Sequence, residues 1–182
     1  MSTSRVLLIN ESDCHDATQW ATDMLEADGI QVELHDTGHG RMGDLYDKWL
    51  AAHGIIIVTQ AHGERAELTE TIRLAGWDNR KHLGDRAYGV VVHGDVARAD
   101  SVRRGLTDWL DRFGLINSAT FAPLDRLLGY DASEAGGREV LDTDLAFQQQ
   151  VRTMARAMSN AVGELRAGRL TPPDRRGEPR AE

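Results

Sequence analysis

The sequence predicts one doubly wound α/β domain, a five-stranded parallel sheet with helices on both faces. Three observations carry that expectation. Strand-like and helix-like segments alternate about five times along the chain. The clearest strand segments are continuous apolar runs, the pattern of strands that crossover helices cover on both faces. The chain has 182 residues, enough for one domain with a sizeable core and too few for a barrel of eight strand–helix units.

Arg5-Val6-Leu7-Leu8-Ile9 is the first apolar run. After a polar loop, Ala17, Trp20, Ala21, Met24 and Leu25 share one helical stripe, and Gly29 closes it as a left-handed cap. Gln31-Val32-Glu33-Leu34-His35 alternates, which reads as a strand with one exposed face, near a sheet edge. Leu45, Trp49 and Leu50 mark a second helix running up to Gly54. Gly54-Ile55-Ile56-Ile57-Val58-Thr59 is the strongest central strand, β-branched and bounded by glycine and polar residues. A weaker helix follows through Leu68, Ile72 and Ala75. Ala87-Tyr88-Gly89-Val90-Val91-Val92-His93 is the next buried strand, and Val102, Leu106, Trp109, Leu110 and Phe113 form a helix stopped by Gly114. The last strand falls within Leu115 to Leu124. Phe147, Val151, Met154, Ala155, Met158, Val162 and Leu165 build a long terminal helix started by Asp142 or Thr143. The domain spans residues 1–170, and the Pro-, Arg- and Glu-rich segment 171–182 reads as a disordered tail that has too little apolar surface to bury.

Composition narrows the function. Hydrophobic residues make up 41% and charged residues 27%, the balance of a soluble globular protein. No apolar run approaches the roughly 20 residues of a membrane helix. The start, Met1-Ser2-Thr3-Ser4-Arg5, enters a strand directly, with no apolar signal region and no cleavage site. Cys14 is the single cysteine, so no internal disulfide forms and a cytoplasmic setting is expected. The formal charge of −8 repels phosphates on average and argues against a nucleic-acid partner, while leaving room for one small anion site.

About five strands in a short chain suit the flavodoxin-type strand order better than the six-stranded dinucleotide fold. The block Val90-Val91-Val92-His93-Gly94-Asp95-Val96, followed by Val102-Arg103-Arg104-Gly105-Leu106 and Trp109-Leu110, resembles the NADPH-dependent FMN reductase and flavodoxin-like quinone reductase group. Ile55-Ile56-Ile57-Val58-Thr59 with Leu68 and Ile72, and Asp125-Arg126-Leu127-Leu128-Gly129-Tyr130 before Leu141-Asp142-Thr143-Asp144, resemble the same group. The resemblance covers about residues 5–165 and implies a flavodoxin-like fold binding FMN, with NADPH or NADH as reductant and a small acceptor such as a quinone or free flavin. It places the FMN phosphate in the loop after the first strand, near Ser12, His15 and Thr18, and the flavin ring near Thr59, Gln60, His62, Gly94 and Asp95. A homodimer or homotetramer is expected as well.

The residues themselves depart from that pattern. Glu11, Asp13 and Asp16 bring three acids to the phosphate loop. Each like-charge pair costs on the order of 1–4 kcal/mol at a few ångströms. A neutral donor returns roughly 0.5–1.5 kcal/mol. Outward-pointing acids are the easy escape. Where the family has Thr-Pro-x-Tyr, this chain has Thr59-Gln60-Ala61-His62. The loops after parallel strands also bring Ser12, His15, Gln60, His62, His93 and Asp95 to one crevice. His62, His93 and Asp95 there have the titration range and hydrogen-bonding capacity for acid–base catalysis. Two readings therefore stand: an FMN-dependent NAD(P)H oxidoreductase, or a flavodoxin-like protein without FMN that performs non-redox chemistry or ligand binding in the same crevice. Solvated loop residues with no catalytic role, in a binding or assembly protein, are the third.

Other features carry less. Cys14 precedes a helix, which favours a thiolate, but its acidic neighbours oppose that, so an incidental loop thiol is the competing reading. His35 and His39 have a helical spacing inside a loop-like segment and lack a third ligand, so no metal site is expected. Trp49, Trp77 and Trp109 read as core packing or a contact between copies.

Overall fold

Ile55, Ile56, Ile57 and Val58 follow one another in a single strand and are all at most 1% exposed. A strand apolar on both faces is stable only between two layers, and the computed structural model shows those layers. It describes residues 3–11, 15–37, 42–60, 83–93, 96–121 and 139–170. The elements are β1 (Arg5–Asn10), α1 (His15–Ala27), β2 (Gln31–Asp36), α2 (Met42–Ala51), β3 (Gly54–Gln60), β4 (Ala87–His93), α3 (Val96–Arg112), β5 (Ile116–Asn117), a 3₁₀ turn (Ser118–Phe121) and α4 (Glu139–Arg166). The five strands are ordered β2-β1-β3-β4-β5 and every pairing is parallel. That is the flavodoxin-like order, with its switch point between β1 and β3.

Strand alternation divides the core in two. Leu7, Ile9, Ile55, Ile57, Tyr88, Val90 and Val92 face Leu45 and Trp49 of α2 and Leu106 and Leu110 of α3. Val6, Leu8, Ile56, Val58, Ala87 and Val91 face Ala17, Ala21 and Leu25 of α1 and Val151, Ala155 and Met158 of α4. Helices α1 and α3 end where the glycine pattern predicts. Gly29 (φ 75°) and Gly114 (φ 82°) take left-handed backbone. Each cap is closed by paired bonds, Gly29 N–H to Glu26 O and Ile30 N–H to Leu25 O, and Gly114 N–H to Asp111 O and Leu115 N–H to Leu110 O.

Two expectations at the sheet edges hold, and one, the start of α4, is revised. In β2 one face is exposed, as the alternation predicts: Leu34 is 50% exposed and His35 only 3%. This strand is an edge, and α2 lies over the His35 side, with Lys48 and Asp44 near the ring. Burial first, then the Lys48 charge, lowers the His35 pKa from its ordinary value. The last strand falls within Leu115 to Leu124 as expected, as the two residues Ile116–Asn117, before the chain tightens into the 3₁₀ turn. Helix α4 begins at Glu139, so Asp142 and Thr143 lie inside it and not at its start. The helix expected through Leu68, Ile72 and Ala75, the segment Asp125–Tyr130 and the tail 171–182 lie outside the described residues.

Tyr88 sets a phenol hydroxyl into the α2/α3 half of the sheet core and is 1% exposed. Its hydroxyl donates to Asp111 Oδ1 at 2.7 Å. Burial and then this bond raise the tyrosine pKa well above its ordinary value. The folded state therefore holds the proton more tightly than the unfolded chain, and stability falls as pH rises past about 10. Tyr88→Phe is expected to cost about 0.5–1.5 kcal/mol by urea denaturation at neutral pH and to remove much of that alkaline decline. An equal decline in the variant would show that other groups cause it.

Candidate functional site

Apolar strands become polar where they emerge from helix cover. β1 ends in Asn10, β3 in Thr59 and Gln60, and β4 in His93, all at the carboxyl edge of the sheet. The backbone pins these ends together. Glu11 N–H donates to Val58 O at 2.9 Å, leading the chain from β1 toward β3. Thr37 N–H donates to Asn10 O at 3.0 Å, holding the end of β2 on the other side of β1. The Thr37 hydroxyl reaches the same carbonyl at 3.3 Å. The crevice of an open α/β sheet forms at such a divergence of connections.

Asn10 is the functional candidate that sequence reasoning missed. It is 2% exposed, and its Oδ1 is buried with no hydrogen-bond donor among the described residues. A buried acceptor left this way costs about 1–3 kcal/mol. Alternation along β1 puts Asn10 on the α1/α4 side, as its register partner Val58 is. The signal was present in the sequence: an amide ends a strand whose preceding residues are all aliphatic back to Arg5.

Gln60 and His93 are register partners on β3 and β4. Alternation puts both on the same α1/α4 side of the sheet. The His93 ring lies 4.5 Å from Phe147 of α4, tilted by 57°, so α4 supports the imidazole from behind. Thr59 falls on the opposite, α2/α3 side and is 4% exposed, with its hydroxyl 3.5 Å from the Gln60 carbonyl. Thr18 is 5% exposed on the inward stripe of α1 beside Ala17 and Ala21, and its carbonyl accepts the Thr22 hydroxyl at 2.8 Å. His15 opens α1. Ser12, Cys14, His39, His62, Gly94 and Asp95 lie outside the described residues.

The acids of the first loop divide. Asp16 is exposed in the first turn of α1, where the helix dipole favours a carboxylate by roughly 0.3–1 kcal/mol, so it takes the solvent-facing escape. Glu11 is half-buried, and so is Asp36 at the end of β2, in register with Asn10. Asp13 lies outside the described residues. The described rim thus offers amide and imidazole groups suited to the edge of a polar heteroaromatic ring, with carboxylates on the β1/β2 side.

No protein family and no curated protein matches the sequence. Solved structures do match in fold. The chain superposes on rubredoxin oxygen:oxidoreductase from Desulfovibrio gigas with a TM-score of 0.63 at 16% identity, covering 91% of this chain and 37% of that one. The WrbA-like flavodoxin protein from Agrobacterium tumefaciens gives 0.57 at 14% identity, covering 91% and 99%. A flavodoxin variant from Pseudomonas aeruginosa gives 0.53 at 18% identity, covering 82% and 98%. At these identities the likeness establishes the flavodoxin-like fold. Among the described residues, no helix is long and apolar enough to cross a membrane.

Proposed function

We propose that the chain is a flavin-dependent oxidoreductase that holds FMN at the carboxyl ends of β1, β3 and β4 and uses NADH or NADPH to reduce a small acceptor such as a quinone or free flavin. The observation that carries the reading is the buried Oδ1 of Asn10 beside the β1/β3 switch point, an acceptor with no donor among the described residues and open to a ligand N–H or O–H. Several solved structures of the same fold are flavodoxins or flavoproteins by name, which supports it. Gln60 and His93 supply hydrogen-bonding groups for a flavin edge on the same side of the sheet. Ser12 and the start of α1 at His15 are assigned to the phosphate. The flavin, when bound, supplies the hydride and electron chemistry. The chain's own residues bind it, orient it and limit water around it. A homodimer or homotetramer belongs to the same proposal.

Glu11 favours a second reading. A half-buried carboxylate directly after β1 opposes a dianionic phosphate, so a flavodoxin-like protein without FMN, using His93 with His62 and Asp95 for non-redox chemistry, is the rival. Titration with FMN separates them. The first reading expects a shifted flavin absorbance spectrum, quenched flavin fluorescence, and loss of the yellow colour when NADH or NADPH is added without oxygen. Asn10→Ala is expected to weaken FMN by about 1 kcal/mol, roughly fivefold in Kd. An FMN spectrum and fluorescence left unchanged by the protein would reject the oxidoreductase.

A further inference from the structure

The opposite, amino-terminal edge of the sheet holds a second feature. A solvent-open cavity of about 680 Å³ lies there, lined by the end of α2 (Leu50 to Ala52), by His53, by the segment Gly84–Arg86 before β4, and by Leu165 and Arg166 at the end of α4. Its charge is unusual for a chain of net charge −8. Arg86 and Arg166 line it, and Arg5 adds its charge near His53. Two helix C-termini reach the cavity, each carrying about half a negative charge. With Asp85, they offset about two of the three arginine charges and leave the cavity cationic.

The donors are held in place. Arg86 is fixed by three backbone carbonyls: Nε to Ala52 O at 3.0 Å, Nη1 to Gly84 O at 2.7 Å and Nη2 to Leu50 O at 2.9 Å. Arg166 Nη1 donates to Ser4 Oγ at 2.7 Å, which anchors the end of α4 to the start of β1. His53 Nδ1 accepts the Arg5 N–H at 3.1 Å, which assigns the remaining ring proton to Nε2 as a donor. Burial first, then the charges of Arg166 and Arg5, hold this imidazole below its ordinary pKa, so it is neutral at physiological pH. Asp85 takes left-handed backbone, φ 63°, the one non-glycine residue to do so among those described, in the turn that delivers Arg86. Leu50, 37% exposed, and Leu165 give the cavity an apolar wall beside these donors.

We infer that this cavity binds a small organic anion, a phosphate or carboxylate head met by His53 Nε2–H and the arginine charges, with a compact apolar body against Leu50 and Leu165. A volume of about 680 Å³ falls within the range of small-molecule pockets. The site is separate from the strand-end crevice and does not depend on flavin binding. The test uses phenyl phosphate as probe on the full chain, at constant ionic strength, read by calorimetry and by the imidazole NMR signals. Saturable binding is expected, moving the His53 signals and leaving those of His93 in place. Arg166→Gln is expected to weaken it about tenfold or more, as is His53→Phe. Phenol, which lacks the charge, is expected not to bind. The absence of saturable binding by phenyl phosphate, equal affinity for phenol, or movement of His93 in place of His53 would each overturn the assignment. So would undiminished affinity in both variants.

Discussion

Trp49→Ala is expected to lower stability by about 3–5 kcal/mol, the largest effect of any single truncation considered for this chain. Trp49 is 1% exposed and sits where α2 meets the sheet, in the cluster with Leu7, Ile55 and Ile57. Its ring meets Trp109 of α3 edge to face, centroids 6.5 Å apart at 80°. Trp109 in turn meets Phe113 at 4.9 Å and 72°. Aromatic pairs in this geometry add about 0.5–1.5 kcal/mol each beyond their area burial. The indole N–H also donates to Leu83 O at 3.4 Å, linking α2 to the segment that enters β4. Removing the ring opens a cavity that α2 and α3, both fixed to strands, cannot close. Against a typical domain stability of about 5–15 kcal/mol the loss is a large fraction. Trp49→Phe keeps a ring and loses only the N–H and part of the volume, so its urea midpoint is expected between those of wild type and Trp49→Ala. A loss below about 1 kcal/mol for Trp49→Ala would mean that the α2/α3 layer repacks freely. Because Asn10 and His93 lie on the other face of the sheet, ligand binding by the folded fraction is expected to be unchanged.

The same division explains what the sequence makes legible. β1, β3 and β4 are readable because a strand covered on both faces must be apolar at every position, and Leu7 to Ile9, Ile55 to Val58 and Val90 to Val92 are. Helix stripes at Trp49, Leu106 and Val151 are readable for the complementary reason, one buried face per turn. Edges are not. The alternation in β2 states that two faces differ, but only tertiary packing states which face α2 covers, the one that carries His35 and not Leu34. The start of α4 is hidden because Asp142 and Thr143 are good cap residues, although Val140 and Leu141 before them already lie within the helix. At the crevice, topology alone brings Asn10, Gln60 and His93 to one end of the sheet. What sequence cannot supply is contact and burial: that His93 rests on Phe147, or that the Asn10 amide is buried without a donor among the described residues. The cationic cavity is invisible in the sequence for another reason. Arg5, His53, Arg86 and Arg166 come from four distant segments and share no spacing.

Gly89→Val is expected to destabilise the chain by about 1–3 kcal/mol, through overpacking and not through loss of a contact. Gly89 lies on β4 beneath α4, and a Cβ there would overlap Met154 Sδ and Cγ and come within 3.2 Å of Ser118 Oγ. Gly54 on β3 stands in the same relation to Met158 and Val162. The two glycines let α4 settle close on β3 and β4, with the methionine thioethers filling the space that side chains on the strands would take. Valine gains at most about 1 kcal/mol from strand preference, which does not offset two added methyl groups and a Cβ in occupied volume. Met154→Ala alone leaves a hole, whereas Gly89→Val with Met154→Ala puts the valine into it. The double variant is therefore expected to be more stable than the two separate losses predict, a positive coupling readable in a double-mutant cycle. Additive losses would show that β4 and α4 do not meet at this point. The consequence reaches the crevice, because Phe147 and Met154 lie two turns apart on one face of α4. Lifting α4 at Met154 draws Phe147 away from the His93 ring, 4.5 Å below it in the native packing. The His93 ring-proton signals, shifted by the phenyl ring in the wild type, are then expected to move toward solvent-exposed values in Gly89→Val and to return in the double variant. A packing contact far from any reacting group would in this way set the position of an imidazole at the strand ends.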